Sequence, residues 1–155
     1  MQQQLEDLWF KVLHLQYANS PEASLAYQDY RKAMRRAFPY ALFLDDERQP
    51  QDVIWKQYPT GLWWHTVRTV GQFKTHIELN GLPSFVSLDH DLQDFVSGIE
   101  YTGMDCAKFL TDYCTTHVLP LPVVCIHSKN GPGKDNIASW FASYLKATPI
   151  NQSKQ

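Results

Sequence analysis

Apolar residues recur along this chain at two periods, and the change falls near residue 40. Before it, Leu5, Leu8, Trp9 and Val12 stand at i, i+3, i+4 and i+7, one face of a helix. Ser20-Pro21-Glu22 is a helix start, with Ser20 as N-cap and Pro21 at the first helical position. Ala26, Tyr30, Ala33, Met34 and Ala37 trace the face that follows, and Pro39 limits its length. Residues 1–39 therefore predict a helical pair.

Beyond it the apolar runs are short and continuous. Tyr40-Ala41-Leu42-Phe43-Leu44 ends abruptly in Asp45-Asp46, residues 64–70 make a second strand, and a helix through Phe73 and Ile77 stops at Asn80-Gly81. Phe85-Val86-Ser87-Leu88 is a third strand, ending in Asp89-His90-Asp91. Thr102-Gly103 opens a helix with Cys106, Ala107, Leu110, Tyr113 and Cys114 on one face. Val123-Val124-Cys125-Ile126 is a fourth strand, ending in His127-Ser128. Ile137, Trp140, Phe141, Tyr144 and Leu145 mark a last helix, and residues 149–155 are expected to fray. Strands alternating with helices predict α/β architecture, a parallel sheet of about four strands covered on both faces. The expected organisation is a helical extension over 1–39 and an α/β domain over 40–148. Residues 47–63, with Pro50, Pro59 and Gly61, fit a long surface loop or an irregular helix.

Composition narrows the class. The 155 residues are 44% hydrophobic and 19% charged, with a net charge of −2, too apolar and too nearly neutral for a disordered chain. No apolar run approaches the roughly 18 residues of a membrane span, and the glutamine-rich start has no signal-peptide pattern. Duplex DNA is not an expected partner, because no global positive field exists to steer it. The three cysteines lie in apolar stretches without zinc-like spacing, so reduced core thiols in a cytoplasmic protein are expected. The charge is uneven: residues 40–126 carry −6 and residues 127–155 carry +3. The basic cluster Arg31, Lys32, Arg35 and Arg36 reads as a solvated helix face.

The candidate chemistry gathers at strand ends. In a parallel sheet the carboxyl ends share one edge, where ligands bind. Asp45, Asp46, Asp89 and Asp91 would meet there with His90, His127 and Ser128. Carboxylates packed together repel unless a cation neutralises them, which predicts a divalent metal ion, Mg²⁺ or Mn²⁺, held by these four aspartates. After the fourth strand, Ser128-Lys129-Asn130-Gly131-Pro132-Gly133-Lys134-Asp135-Asn136 combines a turn, two lysines and a helix start, an arrangement suited to phosphate. It lacks the GxxxxGK[ST] spacing of a nucleoside-triphosphate loop.

A resemblance rests on the segments Leu44-Asp45-Asp46-Glu47-Arg48-Gln49-Pro50, Val67-Arg68-Thr69, Ser87-Leu88-Asp89-His90-Asp91-Leu92, Thr102-Gly103-Met104-Asp105, Ile126-His127-Ser128-Lys129-Asn130 and Gly133-Lys134-Asp135-Asn136. Over roughly residues 40–147 the chain resembles the cyclic-phosphate-processing receiver domains, a divergent branch of the response-regulator receivers. The resemblance implies a flavodoxin- or receiver-like sheet, a bacterial or viral source, and a role in processing cyclic nucleotides or terminal cyclic phosphates. It matches Asp45 and Asp46 to the acidic metal pair of receivers, Asp89 to their phosphoryl-accepting aspartate, and Ser128 to their hydroxyl position. His90, Asp91 and His127 depart from ordinary receivers, and no fifth strand brings the lysine that clamps phosphoryl there.

These residues lead to one expectation and two competitors. The leading one is a metal-assisted phosphoesterase acting on a cyclic nucleotide or on nucleic acid ending in a cyclic phosphate. Asp89, His90 and His127 would be catalytic, the histidines as general acid and base, because imidazole titrates near neutral pH. Arg48, Arg68, Ser128, Asn130, Lys134 and Asn136 would bind phosphate. The first competitor is a non-enzymatic receiver that binds a nucleotide, or a protein partner through residues 1–39. The second is conventional phosphorylation of Asp89. His14, His65, His76 and His117 are expected to be structural or exposed.

Overall fold

A computed structural model describes residues 3–4, 6–8, 10 and 21–148. Leu5, Trp9, Val12, His14, Ser20 and the C-terminal residues 149–155 lie outside the described residues, as do the side chains of Arg31, Lys32, Arg35 and Arg36. The elements in order are α1 (Pro21–Ala37), β1 (Tyr40–Leu44), a 3-10 turn (Pro50–Asp52), β2 (Trp63–Val67), α2 (Val70–Asn80), β3 (Phe85–Leu88), β4 (Asp94–Val96), β5 (Ile99–Tyr101), α3 (Gly103–Thr116), β6 (Val123–Ile126) and α4 (Gly131–Ala147).

Four parallel strands form the main sheet in the order β2-β1-β3-β6. Every residue of β1 is buried, as a continuous apolar run at the centre of a sheet requires. The register aligns Val67, Leu44, Leu88 and Ile126 in one row across the sheet. Among the described residues no helix is long and apolar enough to cross a membrane.

The sheet's two faces are covered differently. Leu42, Leu44, Val86 and Leu88 alternate onto the face that α2, α3 and α4 cover with Phe73, Ile77, Cys106, Leu110, Ile137 and Phe141. Each such side chain contributes roughly 1.5–3 kcal/mol by leaving water. The opposite face carries Phe43, which meets Tyr58 and Trp64 edge-on at 6.2 and 6.4 Å between ring centroids. Here the cover is the β1–β2 connection, an irregular segment with one 3-10 turn, where the alternating pattern suggests helices on both sides. Topology explains the side it takes. The step from β1 to β2 runs opposite to the later steps across the sheet, and right-handed crossovers then place it on the other face.

Local signals set the helix ends. The side chain of Thr102 accepts from the Met104 N–H and Asp105 bonds back to the Thr102 N–H, a capping box that starts α3. Asn130 caps α4 by accepting from the Gly133 N–H at 2.9 Å. The β4–β5 hairpin escapes the sequence pattern because each strand has only three residues. Its turn, Ser97-Gly98, has positive φ at both positions, 52° and 78°, the conformation two-residue hairpin loops favour. The second strand covers 63–67 rather than 64–70, since Thr69 caps α2. Cys106 and Cys114 are buried free thiols and Cys125 is half-buried. Burial raises all three thiols, Cys114 to about 11, which keeps them unreactive.

Against the β2 edge of the sheet, Tyr27, Tyr30 and Met34 of α1 and Phe38 just past its end line a cavity of about 390 Å³ shared with His65 and His76.

Candidate active site at the carboxyl edge

The sheet ladder positions the site. One residue past the aligned row Val67–Leu44–Leu88–Ile126 stand Arg68, Asp45, Asp89 and His127. Backbone bonding continues into that row: Asp45 N–H donates to the Val67 carbonyl at 3.2 Å, Asp89 N–H to Leu44 at 2.9 Å, and His127 N–H to Leu88 at 2.9 Å. Three polar side chains from separate strands are thus fixed side by side by main-chain geometry. Asp45 and His127 are fully buried and Asp89 is 3% exposed.

Asp45 is the most heavily bonded group. Its Oδ1 accepts the N–H groups of Glu47 at 2.9 Å and Arg48 at 2.6 Å, and its Oδ2 lies 3.0 Å from His127 Nε2. Burial alone would raise its pKa, but the bond from His127, the two backbone N–H donors and the Arg48 charge together hold it at about 2. A carboxylate depressed in the fold contributes stability that is complete above its unfolded value near 4 and is lost as pH falls through about 2. Urea midpoints measured between pH 2 and pH 5 are therefore expected to rise with pH, and Asp45→Asn to flatten that rise. An equal slope in the variant would remove Asp45 as its source.

Arg48 supplies the local positive charge. Its guanidinium lies 3.4 Å from Asp45 Oδ2 and 3.8 Å from Asp89 Oδ2. One of its nitrogens, Nη1, is buried and has no hydrogen-bond acceptor among the described residues, because the Asp45 contact has the distance of an ion pair but not the direction of a bond. Arg68 is turned the other way. Its Nη1 donates to the carbonyls of Asp45 at 2.8 Å and Arg48 at 2.6 Å, pinning the turn that carries Arg48.

His127 is held on all sides. Nδ1 is 2.7 Å from Ser87 Oγ, which is 2.8 Å from the Tyr58 hydroxyl, and the ring stacks on Phe43 with centroids 4.5 Å apart. The carbonyl of His127 accepts from Trp55 Nε1 at 3.0 Å. Lys129 Nζ stands 4.4 Å from the centre of the Trp55 ring, a cation–π contact beside the site. Ser87, Tyr58 and Trp55 are absent from the sequence-based set. Ser87 could have been found, since i and i+2 on a strand share a face and Asp89 follows it by two.

His90 forms a second, more open group. Its Nδ1 is 2.9 Å from Asp91 Oδ1, and Asn130 Nδ2 donates to both Asp91 oxygens at 3.1 Å. Hydrogen bonds from His90 lower the Asp91 pKa. The ring lies directly on Gly133, where a Cβ would sit 2.4 Å from its Cγ. Gly133→Ala is therefore expected to push the imidazole off Asp91 and to cost about 1–3 kcal/mol, read by chemical denaturation. A variant with parental stability and unmoved His90 ring signals would contradict that packing.

The remaining predicted residues are placed as follows. Asp46 accepts from Gln93 Nε2 at 2.9 Å. Ser128 Oγ accepts from the Asn130 N–H at 3.2 Å. Lys134 and Asn136 are exposed on the first turns of α4. Among the described residues, Asp45, Asp89 and His127 bring donor atoms within 4.8 Å of one another, while Asp46 and Asp91 stand outside that group. Two carboxylates and an imidazole suit a divalent cation, whose bonds of about 2.0–2.6 Å span donors at such separations. His65 and His76 pack together with ring centroids 4.9 Å apart and line the cavity beside α1, and His117 packs on Tyr113.

A parallel sheet in the order β2-β1-β3-β6, with aspartates after β1 and β3, defines a receiver-like α/β domain. The family model for cyclic-phosphate processing receiver domains matches residues 40–143, and the chain belongs to that family. Neither a curated protein nor a solved structure matches the chain at a significant level.

Proposed function

We propose that the chain is a phosphoesterase that opens a cyclic phosphate, in a cyclic nucleotide or at the end of a nucleic acid. The observation that carries this reading is the buried Arg48 Nη1, without an acceptor among the described residues, next to Asp45 and Asp89. A buried guanidinium N–H lacking a partner is costly, and a phosphoryl oxygen would satisfy it with a charge-assisted bond.

Asp45, Asp89 and His127 Nε2 are the groups that would hold a divalent cation, Mg²⁺ or Mn²⁺. Bound there it would polarise a phosphoryl oxygen and offset developing charge. His127 suits this holding role, because both ring nitrogens are engaged and the ring is fully buried. His90 suits the proton work. Asp91 orients its Nδ1, which leaves Nε2 for the reacting atoms. In the opening reaction, water attacks phosphorus as His90 takes its proton, one ring P–O bond breaks, and the proton passes to the departing oxygen. Lys129 and Lys134 supply positive charge at the rim for the product phosphate.

The test is turnover. Pure protein would be incubated with cyclic mono- and oligonucleotides and with RNA ending in a 2′,3′-cyclic phosphate, with Mg²⁺ or Mn²⁺. Absence of product across that panel sinks the hydrolase reading. The burial of Asp45, Asp89 and His127 favours one second reading, sequestration of the same ligands, which predicts saturable binding without product.

A further inference from the structure

We propose that Ser87 and Tyr58 are positioning residues for His127, a two-hydroxyl chain that sets which ring nitrogen faces the carboxylates. The proposal rests on the reading of His127 as a cation-holding group. Asp45, ionised, only accepts hydrogen bonds, so in the metal-free protein a neutral His127 presents Nε2–H to it across 3.0 Å. Nδ1 is then the bare nitrogen and accepts from Ser87 Oγ at 2.7 Å, and Ser87 in turn accepts from the Tyr58 hydroxyl at 2.8 Å.

A cation at Nε2 requires the other tautomer, with the proton on Nδ1. Hydroxyls both donate and accept, so the same pair can reverse: Nδ1–H donates to Ser87, and Ser87 donates to Tyr58. On such a switch Ser87 would pass its proton to Nδ1, Tyr58 would pass its own to Ser87 and take one from solvent, and Nε2 would release one, so the proton count at the ring is unchanged. A carbonyl or carboxylate at the Ser87 position would hold only the second arrangement. The chain is built into two independent elements. Ser87 is fully buried on β3, and Tyr58 is packed edge-on against Phe43 and Phe85, with ring centroids 6.2 and 6.0 Å apart.

Two measurements test it on the full chain, with Tyr58→Phe and Ser87→Ala. The first is ¹⁵N NMR of the His127 ring in metal-free protein at fixed pH. The parent is expected to show one protonated and one bare nitrogen, with Ser87→Ala drawing the two shifts together and Tyr58→Phe doing so partly. The second is Mn²⁺ binding by calorimetry, where loss of such a partner is expected to weaken affinity roughly 10–100-fold. Tyr58→Phe keeps the aromatic packing, so its cooperative melting separates positioning from unfolding. Ring shifts identical to the parent in both folded variants would overturn the proposal. A parent that binds no Mn²⁺ would overturn the metal reading alone, because the ring shifts still decide the role of the hydroxyls.

Discussion

Replacing His90 with alanine is expected to lower kcat for cyclic-phosphate opening by roughly 10²–10⁴-fold, the usual loss when an acid–base group is removed. Two features make this substitution cleaner than one at His127. The His90 side chain is 19% exposed, it bonds Asp91 and lies on Gly133, and it is not part of the buried apolar core. Its backbone N–H, which donates to Asp89 Oδ1 at 2.8 Å, remains in the variant and keeps Asp89 oriented. KM should change little and the melting temperature should stay near the parent's. His127→Ala, by contrast, should lose stability as well as activity, because it leaves Asp45 and Ser87 buried without their partner. Parental kcat in His90→Ala, measured on whichever substrate of the panel turns over, would remove His90 from the proton work.

Gly103→Ala is the second large effect, and it acts through space rather than through conformation. A Cβ at residue 103 would lie 1.9 Å from the Asp89 carbonyl oxygen and 2.9 Å from its carbon. No side-chain rotation relieves a clash with main chain. Either α3 moves away from the end of β3, or Asp89 is displaced from the row that aligns it with Asp45 and His127. The Gly103 N–H also donates to the His90 carbonyl at 2.9 Å, so the helix start and the site backbone are joined at this point. The expected cost is about 3 kcal/mol, lowering Tm by roughly 6–12 °C in a chain of this size. Gly131→Ala, with nothing within 4 Å of its Cβ, is the control and should melt with the parent. Equal Tm values for all three proteins would refute the close approach.

The parts of the fold legible in the sequence are those whose burial is symmetric. β1 and β3 are central strands, so their apolar runs are unbroken and their polar ends abrupt. Asp45 and Asp89 are those polar ends, while His127 follows β6, an edge strand whose four-residue apolar run is still unbroken. β2 is an edge strand with alternating exposure, and its limits blurred accordingly. Register supplied what sequence lacked: Asp46 adjoins Asp45 and so leaves the row on the opposite side, while Asp91 lies two residues past Asp89, beyond the ladder, and bonds His90 and Asn130 instead. Tyr58 and Trp55 were illegible for a different reason. They lie in an irregular segment with no period, and only its run of aromatics (Trp55, Tyr58, Trp63, Trp64) hinted that it covers a surface.

The segment between β1 and β2 has a consequence for how the site comes apart. Apart from its 3-10 turn, it is tied down by side chains: Trp55 to the His127 carbonyl, Tyr58 to Ser87, Thr66 to Gln49, and Arg68 to two of its carbonyls. Among the described residues no ladder of backbone hydrogen bonds joins it to the sheet. Its opening is therefore a sub-global event, lower in free energy than melting of the strands beneath it. Such an opening carries Arg48 away from Asp45 and Asp89 while β1 and β3 stay paired. On heating, loss of the Arg48 pairing with Asp45 and Asp89 would precede the loss of sheet structure, and amide exchange in 53–62 would run ahead of exchange in β1.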